Sequence, residues 1–322
     1  MHIRLSVGRA VAAAICLGVF GNAAVGQEVA EPKAVPRLQV VPQPYRQASF
    51  QRDGVEIARY HFGAGLERPF LYPVVGPSGR SLTRMGHPHD PESHSHHNSV
   101  WISHVDVGGV DFWSDRRLGA IRHKRIVEYV DEGETSAIVS ENEWVAADGA
   151  VLLAETRRIT VTLLDGNEWL LVLDLTLNVK DKAVTLGKTP FGMIGVRMAK
   201  TIGVRDGGGK IRNSEGAVNE EEIFRKPAKW VDYSGAVTHE VIEGITLLDH
   251  PANPTFPSPF HVRNDGWMGV CLTLDEAIVV KPDAPLRLRY GLYIHSDMKP
   301  LEQIELVWEK FKELEMADLS SQ

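Results

Sequence analysis

The chain has 322 residues, hydrophobic residues at 43% of positions and a formal net charge of −7, which is typical of a folded globular protein. Its mildly acidic charge, without a basic block, argues against nucleic acid and anionic membranes as partners and favours a neutral or cationic small ligand. Two cysteines occur, Cys16 and Cys271. Since Cys16 falls in the signal segment predicted below, no internal disulfide is expected in the mature protein.

Residues 1–26 have the pattern of a secretory signal peptide. Two arginines precede an apolar run from Ala10 to Phe20, and small residues follow up to Gly26. This order predicts cleavage after Gly26 and an exported protein, periplasmic or extracellular. The apolar run is too short to span a bilayer comfortably, and no later segment has eighteen consecutive apolar residues, so no membrane span is predicted.

The sequence after the signal segment predicts an extended leader and then a series of short strands. Residues 27–46 contain four prolines and few large apolar residues beyond Val40 and Val41, which predicts an extended leader onto the first strand. From residue 47 onward, β-rich runs are separated by turn sequences, as in hairpins. Examples are Asp53-Gly54, Asp148-Gly149 and Asp165-Gly166.

Alternation of apolar and polar residues is clearest between residues 135 and 179, and it predicts antiparallel strands with one buried face. Near the end, Pro300 opens a segment with apolar residues at helical spacing, namely Leu301, Ile304, Val307, Trp308 and Phe311. We therefore predict an all-β fold, a single large antiparallel β-sandwich over residues 47–322 with a short C-terminal helix.

Six of the thirteen histidines fall within the eighteen residues from His87 to His104. Imidazole titrates near neutrality and is the commonest metal ligand, so the cluster marks where chemistry or ligand binding is expected. Trp101, Phe112 and Trp113 accompany it. Aromatic faces beside hydrogen-bonding side chains are typical of sugar sites, and packing in the core is the alternative for each ring.

Two chemistries are open for this cluster. Residues two apart share a face of an extended segment, so His94 and His96, completed by His104, predict a site for one divalent metal ion. Alternatively, His96 and His104 act as acid–base groups, with Asp106 orienting one of them. A polar loop whose histidines bond backbone and carboxylates would also explain the pattern.

A second polar cluster lies in residues 249–263, where four prolines stiffen the loop. Such loops on a β scaffold often carry sites, although a structural crossover between sheets fits equally. The substrate-binding candidates here are His250, Asn253, His261 and Arg263.

Arg197 interrupts an otherwise apolar strand and needs an anionic or carbonyl partner, either Asp249, Glu215 or the substrate. We count Arg197, His97 and Trp101 as further substrate-binding candidates and Glu215 as a spare carboxylate.

Several segments together resemble the PmoA family of exported bacterial proteins, known as methane oxygenase PmoA. They include RPFLYPVVGPSG, HSHHNSVWISHVDVGGVDFW, TPFGMIGVRMAKTI and DHPANPTFPSPFHVR. The resemblance implies a β-supersandwich like that of galactose mutarotases and a carbohydrate ligand.

The leading hypothesis is an exported, sugar-directed enzyme that acts on a glycoside or free sugar by histidine–carboxylate chemistry. One alternative is a non-catalytic periplasmic carbohydrate-binding protein, favoured if His104 and Asp106 lie away from the aromatic-lined pocket. Another is a metal-dependent oxygenase, as the family name implies.

Overall fold

The computed structural model describes residues 34–90, 92–317 and 319. The predicted signal peptide lies outside these residues. Contacts within the chain group residues 36–322 into one unit. Within the described part of the chain, no helix is long and apolar enough to cross a membrane.

Nineteen β-strands, numbered in chain order, occur in the described residues. They are β1 Leu38–Gln43, β2 Gln47–Arg52, β3 Val55–His61, β4 Phe70–Val74, β5 Val100–His104, β6 Gly119–Glu132, β7 Thr135–Ala146, β8 Val151–Leu163, β9 Trp169–Asn178, β10 Val184–Leu186, β11 Gly192–Arg197, β12 Lys210–Asn213, β13 Lys226–Pro227, β14 Trp230–Ala236, β15 Ile242–Asp249, β16 Pro259–Arg263, β17 Trp267–Val270, β18 Ile278–Val280 and β19 Leu286–Ser296. The α-helices are α1 Val204–Gly207, α2 Asn219–Ile223 and α3 Leu301–Lys312.

The strands form two large antiparallel sheets. A nine-stranded sheet has the order β1-β2-β3-β4-β5-β11-β17-β16-β13, and an eight-stranded sheet has the order β12-β14-β15-β19-β9-β8-β7-β6. A small third sheet pairs β10 with β18. The prediction of a large antiparallel β-sandwich with a short C-terminal helix is confirmed.

Alternation along β5 shows how the nine-stranded sheet separates its two faces. Val100 and Ile102 belong to the main apolar core, whereas Trp101 belongs to a separate aromatic cluster with Trp113 and Trp267. Side chains of successive strand residues point to opposite faces. The aromatic cluster therefore lies on the face of this sheet that points away from the main core.

Strand β9 was predicted to bury one face, but its residues from Trp169 to Leu177 are all buried. The cause is helix α3, which packs its buried Ile304, Trp308 and Phe311 against Leu170 and Val172 of the strand's other face. The eight-stranded sheet is thus covered on both sides around β9.

The segment predicted as an extended leader, residues 27–46, contains strand β1. Leu38 and Val40 are buried, and β1 pairs with β2 throughout its length. The nine-stranded sheet therefore begins before residue 47, the predicted start of the domain.

Candidate functional site

A cavity of about 690 Å³ opens on the outward face of the nine-stranded sheet. Strands β11, β16 and β17 supply Arg197, His261, Arg263 and Trp267 to its lining, whereas their neighbours Val196, Val262 and Met268 belong to the main core. Loops supply the other walls, with His87, His94, His96 and His97 on one side and Phe224 and Arg225 on another.

Tryptophan rings form the floor of this cavity. Trp267 lies 5.3 Å from Trp101 between ring centroids and 5.7 Å, edge to face, from Trp113. Gly195 on β11 permits this packing, because a Cβ there would come within 2.8 Å of both Trp267 and Trp101. Trp101 itself is 1% exposed, so it supports the floor from beneath.

His97 joins the histidine loop to this floor. Its ring stacks on Trp267, with centroids 5.3 Å apart and planes at 14°, and also on Trp101 at 5.5 Å. His96 packs edge to face on His97 at 4.6 Å. The two adjacent histidines therefore extend from the aromatic floor into the cavity wall.

Arg68 fixes the two loops that hold these groups. It is 1% exposed and donates from Nη1 to the His96 carbonyl at 3.2 Å and to Asn98 Oδ1 at 2.6 Å. Its Nη2 donates to the carbonyl oxygens of Phe112 and Trp113 at 3.0 and 2.8 Å. One buried guanidinium thus ties the histidine loop to the loop that carries Trp113.

Asp265 anchors the same histidine loop from the opposite side. His87 Nδ1 accepts backbone N–H groups of residues 89 and 90, so its Nε2 carries the proton and donates to Asp265 Oδ2 at 2.8 Å. Arg197 Nη1 donates to Asp265 Oδ1 at 2.9 Å. Burial would raise the pKa of Asp265, but the charge of Arg197 and both hydrogen bonds lower it below its usual value.

Burial keeps His96, His97 and His261 neutral at pH 7. Burial lowers the pKa of His96 and of His261 to about 4, and burial with the neighbouring His96 and Arg197 lowers the pKa of His97 further. Nδ1 of His97 and Nδ1 of His261 are buried without a hydrogen-bond partner among the described residues. A neutral imidazole donates from one nitrogen and accepts at the other, so a ring that presents one nitrogen to the cavity can bond a ligand hydroxyl.

The structure does not pair the His104 ring with the Asp106 carboxylate, which the acid–base prediction would require. His104 is 0% exposed and its Nδ1 accepts the Asp106 backbone N–H at 3.1 Å. Its Nε2 therefore donates to Thr273 Oγ1 at 2.8 Å. The Asp106 carboxylate instead accepts the Gly109 N–H at 2.8 Å, so both side chains organise local backbone and neither lines the cavity.

The predicted metal ligands do not converge. His94 and His96 line the cavity, whereas His104 is held in the hydrogen bonds just described. His94 Nδ1 pairs with Asp90 Oδ2 at 2.9 Å. In residues 34–90, 92–317 and 319, no group of three or more His, Cys, Asp or Glu side chains could hold a metal ion.

Of the four candidates in residues 249–263, two have structural contacts and two line the cavity. His250 accepts the Ala252 N–H on Nδ1 and contacts the Lys312 carbonyl, and it packs against helix α3. The Asn253 amide bonds Asp249 and the backbone of Arg289. Neither residue lines the cavity, whereas His261 and Arg263, which follow in β16, both do.

Arg197 has a different partner from those expected. Asp249 is occupied by Asn253 and Ser258, and Glu215 accepts from Ser214 Oγ in a turn away from the cavity lining. The partner is Asp265, which the sequence analysis did not single out. It lies in the Asn-Asp-Gly turn between β16 and β17. This sequence predicts a hairpin turn, but it does not predict an ion pair with Arg197.

Further lining residues were also missed. Three aromatic and two basic side chains of the lining were not marked by any local sequence pattern. They are Trp267, Phe191, Phe224, Arg116 and Arg225. They come from separate segments that only the fold brings together.

Comparison with known proteins places the chain in a family. A family model matches residues 47–309, and the chain therefore belongs to DUF6807, described as a family of unknown function. This finding corrects the expected membership of the PmoA family, which no match supports. The oxygenase hypothesis was drawn from that family name and has no other support among the matches.

No curated protein matches the chain. Among solved structures, one described as "Putative kojibiose phosphorylase from human microbiome" aligns with a TM-score of 0.35 and 7% identity, over 88% of this chain and 38% of that chain. The chain thus spans much less than half of that protein. A likeness this weak carries no functional argument.

Proposed function

We propose that the cavity on the nine-stranded sheet binds a carbohydrate. The observation that carries the proposal is the combination of an aromatic floor with neutral, hydrogen-bonding imidazoles in one concave site. Sugar rings present apolar C–H faces that pack on aromatic rings, and hydroxyl groups that both donate and accept. Phe191, which is 37% exposed, and the small exposed parts of Trp267 and Trp113 offer the first kind of contact. The second kind comes from His96, His97 and His261.

The size of the cavity agrees with a small ligand. Sites for small molecules commonly measure 300–1,000 Å³ and combine apolar walls with a few placed polar groups, and this cavity measures about 690 Å³. The tethers from Arg68 and Asp265 hold the histidine loop against the floor, so ordering this wall on binding costs little entropy.

Binding without catalysis is favoured over the enzyme hypothesis by the positions of His104 and Asp106. Their pairing was the acid–base element of that hypothesis, and both lie outside the cavity lining. Catalysis remains a second candidate through His96, a half-buried histidine of the cavity wall. A base with a pKa of about 4 is weak at neutral pH, which limits that role.

Titration of the protein with neutral and acidic mono- and disaccharides tests the proposal, with calorimetry and tryptophan fluorescence as readouts. We expect a saturable signal that His96→Ala weakens about tenfold, since it removes a hydrogen-bonding wall group. His104→Ala is the matched control and should leave the affinity of the folded protein unchanged. The absence of binding by every sugar, or equal loss in both variants, would overturn the proposed site. Turnover of a bound glycoside that His96→Ala abolishes would favour the enzyme.

We also propose that the protein is exported, on the pattern of residues 1–26. Expression of the full chain followed by N-terminal sequencing of the secreted or periplasmic product should give Gln27 as the first residue. A product that retains Met1 in the cytoplasm would refute export.

A further inference from the structure

The charge around the cavity is opposite to that of the whole chain. The chain carries a net −7, yet among the described residues that line the cavity, guanidinium groups outnumber carboxylates by four to two. The arginines are Arg116, Arg197, Arg225 and Arg263, and the acids are Asp111 and Asp265. Apart from the histidines, this lining has a formal charge of 4 − 2 = +2.

Glu220, outside the lining, adds a third acid beside these arginines, so the excess is 4 − 3 = +1. Arg197 pairs with Asp265 at 2.9 Å, and Arg263 pairs with Glu220 at 2.8 Å. Arg116 and Arg225 form no ion pair with a carboxylate among the described residues.

The remaining acid of the lining, Asp111, forms its hydrogen bonds within its own turn. Its Oδ1 accepts the backbone N–H groups of Trp113 at 2.7 Å and Ser114 at 3.0 Å, and its Oδ2 accepts from Ser114 Oγ at 2.5 Å. This carboxylate shapes the loop that carries Trp113, and neither of its oxygens bonds a cavity arginine.

Arg225 is held at the cavity wall in a specific way. Its guanidinium lies 4.9 Å from the centroid of the Phe224 ring, and Arg263 lies 5.5 Å from the same ring. The Arg225 backbone has φ of 56°, and its N–H donates to the Phe260 carbonyl at 2.8 Å. Two like charges on one ring repel each other, and cation–π contact at an exposed site offsets only part of that cost. Glu220 offsets the charge of Arg263, whereas the charge of Arg225 has no carboxylate partner among the described residues.

We infer that the sugar bound in this cavity carries an oxyanion, which Arg225 and Arg116 bind. The inference rests on the proposed carbohydrate function and names the substrate class of the same site. A carboxylate, as in a uronic acid, and a sulfate ester both present paired oxygens that match the guanidinium fork. The expectation of a neutral or cationic ligand, drawn from the net charge of the chain, is replaced because the local charge is positive.

Isothermal titration calorimetry at low ionic strength tests the inference with matched probes. The neutral sugars are glucose and galactose, the acidic ones are glucuronate, galacturonate and galactose 6-sulfate, and sodium sulfate and sodium acetate provide the anions alone. We expect acidic sugars to bind at least about tenfold more tightly than their neutral counterparts, and added salt to reduce the difference. A preference for the uronates or for the sulfate ester identifies the oxyanion.

Variants locate the oxyanion within the cavity. Arg225→Gln and Arg116→Gln should each bring the affinity for the acidic sugar about tenfold closer to that for the neutral sugar. Arg80→Gln removes an exposed arginine outside the cavity lining and should change nothing. Thermal unfolding of each variant verifies that the fold is retained.

The alternative outcomes separate the two proposals. If neutral and acidic sugars bind equally and the arginine variants behave like Arg80→Gln, the oxyanion inference is wrong and the carbohydrate site stands. If sulfate or acetate alone binds as tightly as the acidic sugars, the arginines bind an anion but the carbohydrate function is wrong. If none of the probes binds, both proposals are overturned.

Discussion

The histidines of this protein show that the partners of a side chain, more than its type, decide what it can do. His104 is fully buried with both ring nitrogens engaged, one by a backbone N–H and the other by Thr273. His97 and His261 are also buried, yet each has an Nδ1 without a partner among the described residues. A histidine whose two nitrogens are used internally stabilises the fold, whereas a cavity histidine with an unpaired nitrogen has hydrogen-bonding capacity that the protein does not use.

The lowered pKa of His261 predicts a pH dependence of stability. Burial lowers this pKa to about 4 in the folded protein, whereas an unfolded chain has a histidine pKa of about 6.5. Between these values the unfolded state binds one more proton than the folded state, so the contribution of His261 is complete above about pH 6.5 and is lost as pH falls toward about 4. We expect the free energy of unfolding to fall between pH 7 and pH 5, by up to about 1.4 kcal/mol per pH unit for this one group.

Denaturant unfolding of wild type and His261→Gln over this pH range measures that contribution. The variant should show a shallower fall than wild type. His239→Gln, at an exposed histidine, is the control and should follow wild type. Parallel curves for wild type and His261→Gln would contradict the prediction.

At the scale of elements, the site is built from two kinds of part. Strands β11, β16 and β17 fix the positions of Arg197, His261 and Trp267 through their ladder hydrogen bonds. The histidine wall is a loop, and it depends on the tethers to Arg68 and Asp265 for its position. The wall is therefore the part of the site most sensitive to substitutions outside the cavity.

Replacement of Arg68 by alanine should loosen this wall. The change removes hydrogen bonds to His96, Asn98, Phe112 and Trp113 at once, so we expect a loss of about 3 kcal/mol of unfolding free energy and faster amide exchange in residues 94–98 and 112–114. Hydrogen exchange with mass spectrometry measures both loops.

Arg289→Ala is a suitable control for this experiment. Arg289 is equally buried, at 2% exposure, and it is paired with Asp174 and with carbonyl oxygens beyond helix α3. The control should lower stability without faster exchange in the two loops. Unchanged exchange in Arg68→Ala would refute the role of Arg68 as a tether.

The elements were predictable from sequence where their signals are local. Strands β7, β8 and β9 and helix α3 were anticipated because alternation and helical spacing act over a few residues. The histidine cluster was located for the same reason. Asp265, Trp267 and Arg225 were not, because their importance depends on neighbours from distant segments. The roles of His104 and Asp106 were misjudged because spacing gives a shared face but not the hydrogen-bond partners.

At the scale of the whole molecule, strand β1 connects the edges of the two sheets. It pairs with β2 of the nine-stranded sheet, and it also bonds residues of β6 and β7 in the eight-stranded sheet. The Val40 N–H donates to Asp131 Oδ1 at 2.7 Å, and Ser136 Oγ donates to the Leu38 carbonyl at 2.9 Å. This strand lies before residue 47, where the family match begins.

A chain that begins at residue 47 should therefore be less stable than one that begins at Pro36. The loss of Leu38 and Val40, which are 0% and 3% exposed, removes about 3–6 kcal/mol of apolar burial. Chemical denaturation of the two chains gives the difference directly. Equal stability would show that β1 is dispensable to the sandwich.

The alternation along β5 and β17 has a consequence for how this site can change. Residues that pack the two sheets together and residues that face the ligand follow each other one by one in the same strands, yet they belong to separate clusters. Substitutions on the outward face can therefore alter what is recognised while the packing between the sheets is left intact. The same scaffold can in this way acquire new specificities by small steps, in evolution or by engineering.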